Sequence, residues 1–243
     1  MSSLKCEHDD DETTIEGGAR ARPCLDSSVQ KIAALFLLML VALAPSRAWD
    51  DDRMTAAAKR HGARAVAGMQ LLQPLLRQVS DMDERTRLTT INGFFNRRIL
   101  FRDDIEAWGQ VDYWASPLEA LQKGEGDCED YAISKYFSLL AAGTPLERLR
   151  MVYVRAQLGA PGGPTQAHMV LAYYAAPDAE PLILDNLVDD VRPASRRPDL
   201  TPVFSFNSEG LWEGVGARRA GEPVSRLSRW REVLAKARDE GFL

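Results

Sequence analysis

The chain has 243 residues, of which 45% are hydrophobic, 27% charged and 8% aromatic, the balance of a globular protein rather than a disordered or collagen-like one. With Lys+Arg 30 against Asp+Glu 35 the formal charge is −5, which excludes a general electrostatic attraction to nucleic acid. Three cysteines and three histidines exclude a zinc ribbon or a disulfide scaffold, and no apolar run reaches the roughly 18 residues of a confident membrane span.

Residues 1–30 form a polar, acidic extension with Glu7, Asp9, Asp10, Asp11 and Glu12, too poor in apolar side chains to build a core. Lys31 then precedes the apolar stretch Ile32 to Ala44 and the small-residue site Ser46-Arg47-Ala48. This is the order of a secretory signal over 31–48: charged n-region, apolar h-region, cleavage site. The extension is long for an n-region, and a translation start near Val29 would shorten it. Cleavage after Ala48 makes Trp49 the first mature residue, removes Cys6, Cys24 and His8, and leaves one exported domain over 49–243 with no stable membrane span. Its single cysteine, Cys128, cannot form an internal disulfide; it is either a buried small apolar residue or a reactive thiol.

Residues 53–79 predict helix, with a break or kink near Gln73-Pro74. A second helix covers 81–98. His61, beside Gly62, reads as a surface or packing residue. Ser116-Pro117-Leu118-Glu119 is a helix start: Ser at the N-cap, Pro at the first helical position and Glu placed for a capping box. Gly124 and Gly126 end that helix. Cys128 opens the next, roughly 127–142, with Ala132, Ile133, Tyr136, Leu139 and Leu140 on one face, and Gly143 closes it. Thr144-Pro145-Leu146-Glu147 repeats the start signal for one turn.

The composition then turns β-prone. Leu149 to Val154 alternates; His168 to Tyr174 and Pro181 to Leu187 suit an antiparallel hairpin; Val203 to Asn207 predicts another strand. Residues 224–239 predict a C-terminal helix with Leu227, Trp230 and Leu234 at helical spacing. Helices first and strands later give an α+β fold, N-terminal helices followed by an antiparallel sheet.

Cys128 sits at a helix N-terminus, where free N–H groups and the dipole favour a thiolate. His168 lies on a strand after a Gly/Pro loop, and Asp185 near the end of the next. A bulge or a diagonal pairing brings the two together; Asn186 is the alternative partner for the imidazole. Thiol, base and orienting carboxylate then come from one helix tip and two strands. Glu125, Asp127, Glu129 and Asp130 crowd the thiol and oppose its ionisation. Either they complement the helix dipole, or they hold a cation, and hard carboxylates suit Ca²⁺.

Tyr113-Trp114-Ala115-Ser116-Pro117-Leu118-Glu119, Gly126-Asp127-Cys128-Glu129-Asp130-Tyr131-Ala132, His168-Met169-Val170-Leu171-Ala172-Tyr173-Tyr174, Leu182-Ile183-Leu184-Asp185-Asn186-Leu187 and Phe204-Ser205-Phe206-Asn207 together resemble the bacterial transglutaminase-like cysteine proteinases. The likeness is strongest to periplasmic members that release large repeat-containing adhesins from the cell surface. It implies a papain-like, transglutaminase-type core and a triad of Cys128, His168 and Asp185. It also implies Ca²⁺ held through Asp127, Glu129 and Asp130, with Asp112 or Asp178 as candidates for a further ligand from a neighbouring loop. The implied substrate is the N-terminal region of such an adhesin, cut near a di-alanine to control biofilm attachment. The implied regulator is the periplasmic domain of an inner-membrane cyclic-di-GMP receptor. The Cys128 N–H is the expected first oxyanion donor; Trp108, Gln110 and Trp114 are candidates for the second. The same triad would serve a transglutaminase-type acyl transferase, and a non-catalytic periplasmic binding module is the reading from another class.

Overall fold

Asp50 starts the first helix by accepting from the N–H groups of Asp52 and Arg53 at 3.1 and 3.0 Å, which satisfies two of the donors a helix leaves free at its N-terminus. This computed structural model describes residues 49–160, 162–221 and 228–243. The acidic extension and the proposed signal, 1–48, lie outside the described residues, as does Leu227. Among the described residues no helix is long and apolar enough to cross a membrane.

Helix α1 (Asp51–His61) stops at Gly62 and α2 (Ala63–Ser80) continues to the end of the segment with Pro74 inside it. Of the break or kink expected near Gln73-Pro74, the break does not occur: the helix runs through Pro74. Pro74 removes a single N–H, while Leu72, Leu76 and Val79, fully buried on either side of it, hold the helix to the core. Gly62 instead has φ 133°, a backbone open to glycine at little cost. A Cβ there would also lie 2.8 Å from Gln122 Oε1, the atom that caps α2 by accepting from Ala65 N at 3.0 Å.

Asp83 caps α3 (Glu84–Asn96). A two-residue strand, β1 (Leu100–Phe101), leads to the single turn α4 (Asp104–Ala107). The Ser116–Glu119 capping box forms as expected at the start of α5 (Pro117–Lys123), which ends at left-handed Gly124. Strand β2 (Glu125–Gly126) pairs parallel with β1. Helix α6 (Cys128–Ala141) follows at once, buried from Asp130 to Ala141. A helix buried on nearly all sides sits in the middle of a domain, and α6 packs between α3, α5 and the face of the sheet.

The sheet has seven strands in the order β6-β5-β4-β3-β7-β8-β9, every neighbouring pair antiparallel. They are β3 (Leu149–Gln157), β4 (Thr165–Tyr173), β5 (Leu182–Leu184), β6 (Arg192–Pro193), β7 (Leu200–Phe206), β8 (Leu211–Glu213) and β9 (Arg219–Gly221). The expected hairpin is β4–β5, with Leu171 opposite Leu184 and Tyr173 opposite Leu182. The β3–β7 register shifts between Tyr153 and Val154, where Pro202 enters the ladder without an N–H to donate. Helix α7 (Ser228–Asp239) returns to the core through Trp230, which packs on Tyr136, Phe137 and Phe206 at ring-centroid distances of 5.2, 5.7 and 5.4 Å.

Buried Glu240, just past α7, ties that segment to the end of α1 and the start of α5. It accepts from Ser116 Oγ and, at 3.2 Å, from Leu118 N, and pairs with His61 Nε2 at 3.0 Å. His61 is thus a packing residue, as the sequence suggested. Ser116 serves both the capping box and this buried carboxylate. Ser116→Ala should lower the unfolding free energy by about 2 kcal/mol, the upper end of the range for a lost N-cap, because it also strips Glu240 of a donor. Urea midpoints of the two proteins read this directly, and coincident midpoints would refute it.

Candidate active site

Gly126 has room for no side chain: a Cβ there would collide with the Asp130 carboxylate. That close approach lets Asp127 cap α6, accepting from Glu129 N at 3.2 Å, and sets half-buried Cys128 as the first helical residue. The thiol donates to Glu129 Oε2 at 2.8 Å. The backbone N–H of Met169 on β4, the residue after His168, favours its ionised form. Burial pushes the thiol well up, and the charges of Glu129 and Asp127 and the bond to Glu129 add to it; only the Met169 N–H opposes them.

His168 is buried on β4, and its Nε2 lies 2.8 Å from Asp185 Oδ1. Continued past its last pair, the β4–β5 register puts Asp185 opposite Val170, one diagonal step from His168 on the same face. The diagonal pairing foreseen from loop lengths is the one adopted, and Asp185 rather than Asn186 meets the ring. With Nε2 engaged, Nδ1 is the ring nitrogen left for proton transfer. Asp185 Oδ1 also accepts from Leu187 N at 3.0 Å, and Oδ2 accepts from Arg197 Nη2 at 2.6 Å. Burial works to raise this carboxyl. The bond to His168 and its charge, the Leu187 N–H and the Arg197 charge outweigh it, and Asp185 sits well below the usual carboxylate range. Asn96 on α3 donates to the Asp185 carbonyl and to Asp189 Oδ1, each at 2.8 Å, and so fixes the segment after β5.

The acids divide into two overlapping groups. Asp127, Cys128 and Glu129 form one; Asp104, Asp127 and Asp130 form the other, each with donor atoms within 4.8 Å of one another. Asp130 is fully buried and accepts from Ala115 N at 2.7 Å and Trp108 Nε1 at 3.2 Å. Asp104 accepts from Tyr113 N at 2.5 Å, and its Oδ1 is buried without a partner. Burial, then Glu129, Asp130 and Asp104, push Asp127 up to about 10. Burial also lifts Asp130 to about 7, aided by Asp104 and Glu129 against the Ala115 N–H and Trp108. Three desolvated carboxylates, one with an orphaned oxygen, fit a hard divalent cation.

Asp104 was not singled out by the sequence; it carries no local signal beyond being an acid, and only the fold brings it to α6. Of the two loop candidates, Asp112 pairs with Arg229 Nε at 2.5 Å and Asp178 is exposed in the β4–β5 loop; neither joins the groups. Among the oxyanion candidates, Trp108 Nε1 is committed to Asp130 and Gln110 is exposed, while Trp114 Nε1 is buried without an acceptor.

A thiol at a helix tip, a buried His–Asp pair on an antiparallel sheet and an α+β core are the marks of a thiol protease of the papain and transglutaminase type. The profile described as bacterial transglutaminase-like cysteine proteinase BTLCP matches residues 72–200, and the chain belongs to that family of cysteine proteases. Calcium-bound LapG of Legionella pneumophila is 36% identical over 77% of this chain and 98% of that one, with a TM-score of 0.65. LapG treated with EGTA is 34% identical over 77% and 97%, with a TM-score of 0.67. No curated protein sequence matches.

Lys135 lies two turns along α6 from Cys128 and is buried, its Nζ 5.5 Å from the Tyr131 ring centroid. Burial pushes it down from 10.5 to about 7, against the pull of Asp185 and Asp189. Between those two values the unfolded chain binds a proton that the folded chain does not, so this group makes stability rise with pH from about 7 to 10.5 and fall as pH drops through that window. Lys135→Met should flatten that rise in urea midpoints taken across the window. An unchanged slope would mean that Lys135 stays charged in the fold.

Proposed function

We propose that this chain is an exported, calcium-dependent cysteine endopeptidase that cuts the N-terminal region of a large repeat-containing surface adhesin near a di-alanine, and so controls biofilm attachment. The observation that carries the catalytic part is the buried His168 Nε2–Asp185 Oδ1 bond of 2.8 Å, on the sheet against which the Cys128 helix packs. The adhesin, periplasmic location and regulation by an inner-membrane cyclic-di-GMP receptor rest on the resemblance of the motifs around these residues. Export rests on the signal pattern of 31–48; Trp49, its first product residue, is already packed in the core.

His168 Nδ1 takes the proton of Cys128, and the thiolate attacks the peptide carbonyl. Negative charge moves to the carbonyl oxygen, which the Cys128 N–H at the start of α6 is placed to receive. Asp185 keeps the imidazole in one tautomer and stabilises its cation. The imidazolium then protonates the leaving amine, and water, deprotonated by His168, hydrolyses the thioester and restores the thiol. Asp104, Asp127 and Asp130, with Glu129 adjoining, are the residues that would hold Ca²⁺. When bound there it supplies the positive charge that this acidic site lacks.

Incubation with the N-terminal part of a large adhesin from the same genome tests the activity. The native chain should cut it and Cys128→Ala should not, with an unchanged melting temperature; a variant that cuts normally would end the thiol-protease reading of Cys128.

Calcium is tested separately. A chelator should lower both activity and melting temperature, since a ligand bound only by the folded state stabilises it. Ca²⁺ should restore both and Mg²⁺ poorly, as Mg²⁺ demands a tighter octahedral site. Asp104→Asn should weaken the response to Ca²⁺. Identical cutting and melting with and without chelator would reduce the acids to partners of the helix dipole.

A further inference from the structure

Behind the His168–Asp185 pair stands a cation that the reaction above does not use. Arg197 follows the single turn Ala194–Arg196 between β6 and β7, and its side chain is 2% exposed. One edge of the guanidinium faces Asp199: Nε lies 2.9 and 3.2 Å from its two oxygens and Nη2 lies 2.7 Å from Oδ2. The same Nη2 reaches Asp185 Oδ2 at 2.6 Å. The Nε–Nη2 edge is thus anchored on a carboxylate at the rim of the protein, 35% exposed, and Nη2 offers its second proton to one that is fully buried, while Nη1 is buried without a partner.

The consequence lies in how Asp185 is oriented. A carboxylate turns easily about Cβ–Cγ, and in a dry site it keeps its charge only when both oxygens are bonded. Oδ1 is filled by His168 and the Leu187 N–H, and Oδ2 by Arg197. With Oδ2 tied to a planar, anchored guanidinium, Oδ1 stays in line with Nε2, and Nδ1 stays turned away from Asp185. Lysine in this place would carry the charge without the fork.

We propose that Arg197 is a positioning residue for proteolysis, acting through Asp185 to hold the imidazole of His168 in its productive orientation; the proposal rests on the reading of Cys128, His168 and Asp185 as the reacting set. It separates Arg197 from an ordinary buried ion pair, whose loss would lower stability and leave the chemistry of each folded molecule unchanged.

The test is the rate of Cys128 alkylation by iodoacetamide at pH 7 in excess Ca²⁺, followed by peptide mass mapping so that Cys6 and Cys24 are scored apart. Melting temperature is recorded beside it. Arg197→Met should slow alkylation about 10- to 100-fold, the usual cost of losing a residue that orients a functional ligand. Arg197→Lys should fall between the two. In a double-mutant cycle, Arg197→Met on top of Asp185→Asn should cost no more than Asp185→Asn alone, because residues that act as one unit are not additive. Native alkylation in Arg197→Met with only a lower melting temperature would overturn the proposal, and so would losses that simply multiply in the double variant. Should Asp185→Asn itself leave Cys128 alkylation unchanged, the triad reading falls and the proposal with it. A thiol sensitive to Asp185→Asn but indifferent to Arg197→Met sinks the Arg197 assignment alone.

Discussion

Three carboxylates and a thiol crowd the largely buried N-terminus of α6, and that concentration of acidic groups constrains everything around it. Helix N-termini attract anions, but the dipole is worth at most about 2 kcal/mol in a partly buried site, and here it faces Asp127, Glu129 and Asp130 at once. Burial and mutual repulsion push Asp127 and Asp130 far above the ordinary carboxylate range, and the thiol rises with them. The charges cannot move apart, because α6 is wedged into the core from Asp130 onward and Gly126 is pressed against the Asp130 carboxylate. The repulsion is thereby built in. A bound cation would answer it more fully than the two N–H donors that reach Asp130 from Ala115 and Trp108.

The other half of the site has the opposite character. Asp185 is as deeply buried as Asp130, yet its carboxyl is driven down rather than up. The difference is the company: His168, the Leu187 N–H and Arg197 surround one, while carboxylates crowd the other. Two buried aspartates are thus shifted in opposite directions by the groups around them. The sheet carries the low one rigidly, through the β4–β5 register and the two bonds that Asn96 makes to the segment after β5. The acidic one sits where α6, α4 and the loop around Tyr113 meet, and all three must stay together for its oxygens to converge.

Sequence by itself determined the local features. The Ser116–Glu119 box, the limits of α6, the alternation in β3 and β4 and the end at Gly124 were all legible, because caps, turns and hydrophobic period act within a few residues. Cys128 and His168 stood out for a different reason, that so few cysteines and histidines were left to choose from, and the Asp185 contact with His168 followed from the hairpin that joins their strands. The tertiary structure decided the rest. It moved the helix break from Pro74 to Gly62, since burial of Leu72 and Leu76 outweighs one missing N–H while Gln122 needs the space a side chain at Gly62 would fill. It formed β6, β8 and β9, strands of two or three residues that exist only because a neighbour pairs with them. It brought Asp104 to Asp127 and Asp130, removed Asp112 to Arg229, and set Arg197 behind Asp185. Each of these is a contact between charged groups from separate elements, and the meeting of such groups depends on where packing sends the backbone, which no short stretch of sequence encodes.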